Sequence, residues 1–104
     1  MNNEQLIRKL NSVGKEAFVT HYYLFRDYAS SKISKETAVL RLVNEGRSNE
    51  DGAAIRLGNA SIIFHENANC DALMIVQISN RLSEQTIRSA KAIYEAECGS
   101  QKTR

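Results

Sequence analysis

Apolar residues recur along most of the chain at the three- and four-residue spacing of an amphipathic helix. In the first segment, positions 3–29, they share one face opposite Lys9 and Glu16. This period predicts a helix that packs one side against a core. Gly14 lies within the apolar face, where glycine lowers helix stability by about 1 kcal/mol relative to alanine. A close helix crossing would compensate for that loss, and we therefore expect one long first helix.

Residues that commonly cap helices mark where the next elements begin and end. Ser34 suits the N-cap of a short second helix, and Gly46 suits its C-terminal stop. Ser48 suits the N-cap of a third helix, whose first turn carries acidic residues that favour the positive end of the helix dipole. Ser83 suits the N-cap of a last helix, which ends near Gly99.

The third helix and the segment after it, positions 70–78, carry apolar residues all round rather than on one face. Periodicity does not distinguish a buried helix from a buried strand in the later segment. A lone strand would have no partner in this chain, so we predict a fourth, short helix. Helices that are apolar all round usually lie in a core or an interface. A chain of 104 residues cannot easily bury two of them, so we expect a homodimer or another protein that covers this surface.

The composition agrees with a helical protein that has short loops. The chain has 104 residues, no proline and five glycines, whereas loop-rich β folds rely on both residue types at their turns. This length corresponds to one domain, which we place at residues 1–99 and follow with a flexible polar tail at 100–104. The predicted fold class is all-α, a compact bundle of about five helices in which the third and fourth lie centrally or at an interface.

Charge and hydropathy argue against membranes, and make nucleic acid a less favoured partner. A formal net charge of +2 is too small to imply binding to either. The longest apolar run, positions 72–76, is far too short to span a membrane, and the N-terminus lacks the apolar core of a signal peptide. Cys70 and Cys98 belong to no paired motif, so we expect two reduced thiols in a cytoplasmic protein, with a single disulfide as the alternative.

The side-chain pattern offers no support for catalysis. The two histidines, His21 and His65, have no nucleophile or acid partner in any motif. We expect His21 to pack within the first helix's apolar face, and His65 to lie near a helix end where a cation is favourable. Zinc sites need closely paired Cys and His ligands, and phosphate loops need glycine motifs that this chain lacks. The predictions are therefore no enzyme activity, no metal and no cofactor.

Aromatic residues cluster near the end of the first segment. Five of the seven lie between positions 18 and 28, and most belong to the apolar face. We expect Tyr22 and Tyr23 to point outward beside Arg26, a composition typical of protein interfaces. Leu73 and Ile75 of the fourth helix belong to the same predicted interaction surface. The leading function is therefore a non-enzymatic, homodimeric regulatory or accessory module that acts through protein–protein interaction.

The start of the last helix suggests an alternative function. The run LSEQTIR at positions 82–88, followed by an Ile-Tyr pair, resembles the recognition helix of helix-turn-helix transcription factors. The resemblance implies base contacts from three side chains and a phosphate contact from one of two hydroxyls. These residues are Glu84, Gln85 and Arg88 for the bases, and Ser83 or Thr86 for the phosphate.

The preceding helix departs from the helix-turn-helix pattern. Gln77 stands where a small alanine is usual, Asn80 where a buried leucine is usual, and Arg81 where the turn glycine is usual. A second candidate motif earlier in the chain opens its recognition helix with Glu50 and Asp51, which would repel phosphate. DNA binding through the helix that begins at Ser83 is therefore the alternative to protein–protein interaction.

Overall fold

The structure is a computed structural model that describes residues 1–46 and 48–99, so the predicted tail at 100–104 lies outside the described residues. Over these ranges the chain forms seven α-helices and no strand. The helices are α1 (Asn3–Val13), α2 (Lys15–Thr20), α3 (Tyr22–Ala29), α4 (Lys35–Asn44), α5 (Glu50–His65), α6 (Asn69–Gln77) and α7 (Glu84–Glu97). The all-α prediction is confirmed, and positions 70–77 are helical rather than extended.

The expected long first helix is wrong, because the segment is broken twice. Gly14 ends α1 with a φ of +94°, a conformation that glycine adopts without strain. His21 interrupts the helix again with φ −113° and ψ 26°, which separates α2 from α3. These two breaks are the reason that about five predicted helices become seven. The close contact expected at Gly14 comes from a side chain of α5, since Arg56 donates a hydrogen bond to the carbonyl of Val13.

Two of the three predicted N-caps are confirmed, and the third moves by one residue. Ser34 and Ser83 each accept a hydrogen bond from the backbone N–H three residues later, both at 3.1 Å. Asn49, rather than the predicted Ser48, caps α5 by the same bond at 2.8 Å. Gly46 follows α4 with a φ of +75°, as a C-terminal glycine stop requires.

The core forms around α5, which packs against α1, α3, α4 and α6. Leu57 and Ile63 on its inner face are fully buried, together with alanines that let neighbouring helices approach. Not every apolar side chain of α5 is buried, because Ile55 and Ile62 face solvent. A central α5 therefore agrees with the prediction, while its two outward isoleucines are exposed over residues 1–46 and 48–99.

The expectation of two reduced thiols is wrong, because Cys70 and Cys98 form a disulfide. Their Cα atoms lie 6.1 Å apart, although 28 positions separate them in sequence. The reason is the packing of α6 against α7, which places the first turn of α6 beside the end of α7. No short-range motif announces such a pairing, since it depends on how two helices dock.

Candidate protein-binding surface

Tyr22 was expected on an outward surface, but its side chain is fully buried. Its ring packs edge-on against Phe18, with centroids 5.6 Å apart. The hydroxyl accepts a hydrogen bond of 2.9 Å from the side-chain amide of Asn69. Burial raises the pKa of Tyr22 above its ordinary value, and the Asn69 hydrogen bond only partly opposes this effect. Tyr22 therefore belongs to the core and offers no surface to a partner.

Tyr23 and Arg26 form a small cluster that is tied to the last helix. Tyr23 is 43% exposed, and the guanidinium carbon of Arg26 lies 4.8 Å from the centre of its ring. Arg26 also donates hydrogen bonds to both carboxylate oxygens of Glu97, at 3.2 and 3.3 Å. Burial lowers the pKa of Arg26, but the hydrogen bonds and charge of Glu97 outweigh burial and raise it. Arg26 thus joins α3 to α7, and Tyr23 remains the exposed part of the pair.

The two residues predicted on α6 lie mostly inside the chain. Leu73 is fully buried, so it offers no surface to a partner, and Ile75 is partly buried against the core. The apolar side chains of this region that reach solvent are Met74 and Ile78. The five residues of the predicted interaction surface therefore do not form one exposed patch.

The residues of the DNA-binding alternative are largely engaged within α7. The Ser83 hydroxyl caps the helix and lies 2.9 Å from the Thr86 hydroxyl, and Thr86 is buried. Arg88 forms an exposed ion pair of 3.2 Å with Glu84. Gln85 lines a cleft between α2 and α7.

Positions 78–83 make a six-residue connection between α6 and α7, longer than the three- or four-residue turn of a helix-turn-helix. DNA binding stays a prediction, tested by a gel shift that Arg88→Ala abolishes.

The two histidines take part in packing. His21 is buried at the break between α2 and α3, with its ring edge-on to Phe25 at 6.3 Å. The Nε2 atom of His65 lies 3.0 Å from the carbonyl oxygen of Ala29, which joins the end of α5 to the end of α3. Across residues 1–46 and 48–99, no group of three or more His, Cys, Asp or Glu side chains is placed to hold a metal ion.

An apolar groove runs along α4, and the sequence reasoning did not single it out. It has a volume of about 430 Å³ and is mostly apolar. We call it the α4 groove. The residues that line it are Lys35, Glu36, Val39, Leu40, Val43 and Glu50. Leu40 is 60% exposed, although α4 buries Ala38 and Leu42 on its other side. The sequence does contain a sign of this groove. The apolar face of α4 is wider than packing against the core requires, because it includes Leu40.

The charges of the α4 groove lie at its ends. Lys35 begins α4 and Glu36 follows it, so one end of the groove carries both signs. Glu50 begins α5 and lines the same groove. The floor between these ends consists of the apolar side chains of Val39, Leu40 and Val43. An apolar floor with charged ends is the usual arrangement of a protein-binding surface, where polar groups surround an apolar centre.

Comparisons with known proteins return no similarity: no family model, no curated protein and no solved structure matches the chain. Within the part of the chain that the structure describes, no helix is both long enough and apolar enough to cross a membrane.

Proposed function

We propose that the protein is a non-enzymatic regulatory or accessory module that forms a homodimer through the α4 groove. The observation that carries the proposal is the 60% exposure of Leu40 on the apolar floor of a groove with charged ends. Large apolar side chains that stand together on a surface are a common mark of protein interaction sites.

A second copy of the chain suits this groove because Lys35 at one end can pair with Glu50 at the other, an attraction that Glu36 beside Lys35 partly opposes. Most homodimers are built around a two-fold axis, so that residue i of one copy meets residue j of the other and the reverse. If that axis passes near Leu40 and lies perpendicular to α4, the two α4 helices run antiparallel. The Lys35 end of each groove then lies against the Glu50 end of its partner. The same axis brings the two Leu40 side chains together.

The expected stabilisation is modest at each residue. Burying a whole leucine side chain contributes about 2 kcal/mol, so burying the exposed 60% of Leu40 contributes about 1 kcal/mol per copy. Two copies of Leu40 then supply about 2 kcal/mol, before Val39 and Val43 are counted. Association also costs rotational and translational freedom. This sum is well below the roughly 8 kcal/mol of a micromolar dimer, so we expect a weak dimer that forms at high protein concentration.

Sedimentation equilibrium over a range of concentrations tests the proposal. We expect the wild-type chain to dimerise and Leu40→Glu to be monomeric with an unchanged far-UV circular dichroism spectrum. Ile78→Glu is the matched control, because Ile78 is even more exposed at 73% but lies beyond α6 and outside the groove. It should dimerise as the wild type does. A wild-type chain that stays monomeric at about 1 mM, where a net gain of only about 4 kcal/mol suffices for dimerisation, would contradict the homodimer.

A charge reversal tests the antiparallel geometry separately. Lys35→Glu should weaken the dimer, because each copy then presents only carboxylates at both ends of its groove. Adding Glu50→Lys in the same chain should restore it. If the double variant is as weak as Lys35→Glu alone, the two ends do not meet and the geometry is wrong.

The predicted cytoplasmic location rested on two reduced thiols and on an N-terminus without the apolar core of a signal peptide, and the Cys70–Cys98 disulfide removes the first of these supports. Disulfides persist in oxidising compartments and are rare where glutathione and thioredoxin keep thiols reduced. We therefore favour an oxidising environment as the place where the protein acts. Alkylation of cells with N-ethylmaleimide before lysis tests this location. Two labelled cysteines per chain would restore the cytoplasmic prediction.

A further inference from the structure

The two sulfur-bearing residues of the disulfide differ in how far solvent reaches them. Cys98 is only 2% exposed at the end of α7, whereas Cys70 is partly exposed in the first turn of α6. We propose that Cys70 is a thiol-exchange site, at which a small external thiol attacks the disulfide and releases Cys98. This proposal is independent of the dimer, since neither cysteine lines the α4 groove.

The exchange is a substitution at sulfur whose atoms and electrons balance. The external thiolate attacks the Sγ atom of Cys70, and a new sulfur–sulfur bond forms between them. The bond between Cys70 and Cys98 breaks, and its electron pair leaves on the Sγ atom of Cys98, which takes a proton from solvent. The attacking sulfur is thereby oxidised and Cys98 is reduced. A second thiol that attacks the mixed disulfide completes the reduction of the protein.

Access and helix charge act in opposite directions on the choice of sulfur. The cysteine that is not attacked leaves as a thiolate. The positive end of α6 stabilises a thiolate on Cys70, and the negative end of α7 destabilises one on Cys98. Helix charge alone therefore favours attack at Cys98, with Cys70 as the leaving group. That preference amounts to about fivefold at an ordinary helix end. Attack at Cys98 also requires the end of α7 to open, because its sulfur has almost no exposed surface. Access therefore decides, and the exchange takes place at Cys70.

Two neighbouring contacts show what the exchange would loosen. The side-chain amide of Asn69, beside Cys70, donates to the Tyr22 hydroxyl. Glu97, beside Cys98, accepts hydrogen bonds from Arg26. While a thiol is bound to Cys70, the end of α7 depends on the Arg26–Glu97 pair, until Cys98 displaces that thiol or a second external thiol completes the reduction. A partly exposed ion pair contributes less than about 1 kcal/mol, equal to about fivefold in an equilibrium constant.

Peptide mapping of the oxidised wild-type protein tests the site of attack. The protein is incubated with reduced glutathione without denaturant, blocked with N-ethylmaleimide and digested for mass spectrometry. We expect glutathione on Cys70 and maleimide on Cys98, with this species about tenfold more abundant than its reverse. Equal amounts of the two species, an excess on Cys98, or no exchange in the folded protein would each overturn the proposal.

Single-cysteine variants provide a second measurement that does not depend on trapping an intermediate. Cys98→Ser leaves Cys70 as the free thiol, and Cys70→Ser leaves Cys98 free. In the folded state the Cys98→Ser chain should react with a disulfide reagent such as dithionitrobenzoate about tenfold faster than the Cys70→Ser chain. In guanidinium chloride the two rates should become similar. A folded-state ratio near one would contradict the difference in access.

Discussion

Removing the disulfide should lower the stability of the fold by an amount that follows from its position in the chain. The bond between Cys70 and Cys98 closes a loop with a sequence separation of 28. Restricting the unfolded chain to such a loop lowers its entropy by about 12 cal/mol/K, or about 3.6 kcal/mol at 25 °C. For a domain of this size, each kcal/mol changes the melting temperature by about 4 °C. The reduced protein should therefore melt about 15 °C below the oxidised one.

Thermal unfolding followed by far-UV circular dichroism measures this difference. The oxidised wild type is compared with the same protein after reduction by a phosphine, and with a chain in which Cys70 and Cys98 are both alanine. The reductant should leave the alanine chain unchanged, which controls for effects of the reductant itself. A shift below about 2 °C on reduction would refute the entropy argument. Two reactive thiols per chain in the untreated folded protein would refute the pairing itself.

Gly14→Ala should destabilise the protein by about 1–2 kcal/mol, because the residue has a positive φ and a Cβ there would lie 2.9 Å from the Arg56 guanidinium. Gly58→Ala should instead stabilise it by about 0.5–1 kcal/mol, since Gly58 is helical with open space around it. Urea unfolding of both variants measures the contrast, and equal effects would contradict it. Ser83→Ala should cost about 1 kcal/mol through loss of the α7 cap, and an unchanged urea midpoint would contradict that role. Burial raises the pKa of Tyr22, so its contribution to stability is complete below about pH 10 and is lost as the pH rises through the folded-state pKa. The melting temperature should fall more steeply above about pH 10 in the wild type than in Tyr22→Phe, and parallel profiles would contradict the assignment.

The helical class and most helix boundaries were predictable because they depend on neighbours in sequence. A serine cap acts on an N–H three residues later, and a glycine stop acts within one turn. The breaks at Gly14 and His21 were not predictable from the spacing of apolar residues. The apolar face continues through both positions, so the pattern shows no interruption. Arg56 of α5 occupies the space beside Gly14, and that contact depends on the packing of α1 against α5.

The candidate surface was much less predictable. Whether Tyr22 points outward depends on Asn69, which lies 47 positions away and hydrogen-bonds to its hydroxyl. The apolar residues all round α6 suggested that Leu73 lies on a surface, but Leu73 is on the side of α6 that packs into the core. The sequence pattern of α4 does not show whether Leu40 is buried or exposed. Its 60% exposure follows from which side of α4 faces α5.

The sequence by itself determined that this chain is helical, where most of its helices begin and that Ser34 and Ser83 cap two of them. These properties follow from spacing and from hydrogen bonds that reach one turn along the chain. The tertiary structure alone decided that Cys70 meets Cys98, that Tyr22 is buried and that Leu40 is not. Each of these depends on how helices far apart in sequence dock, because an apolar side chain shows that it prefers burial but not which helix will cover it.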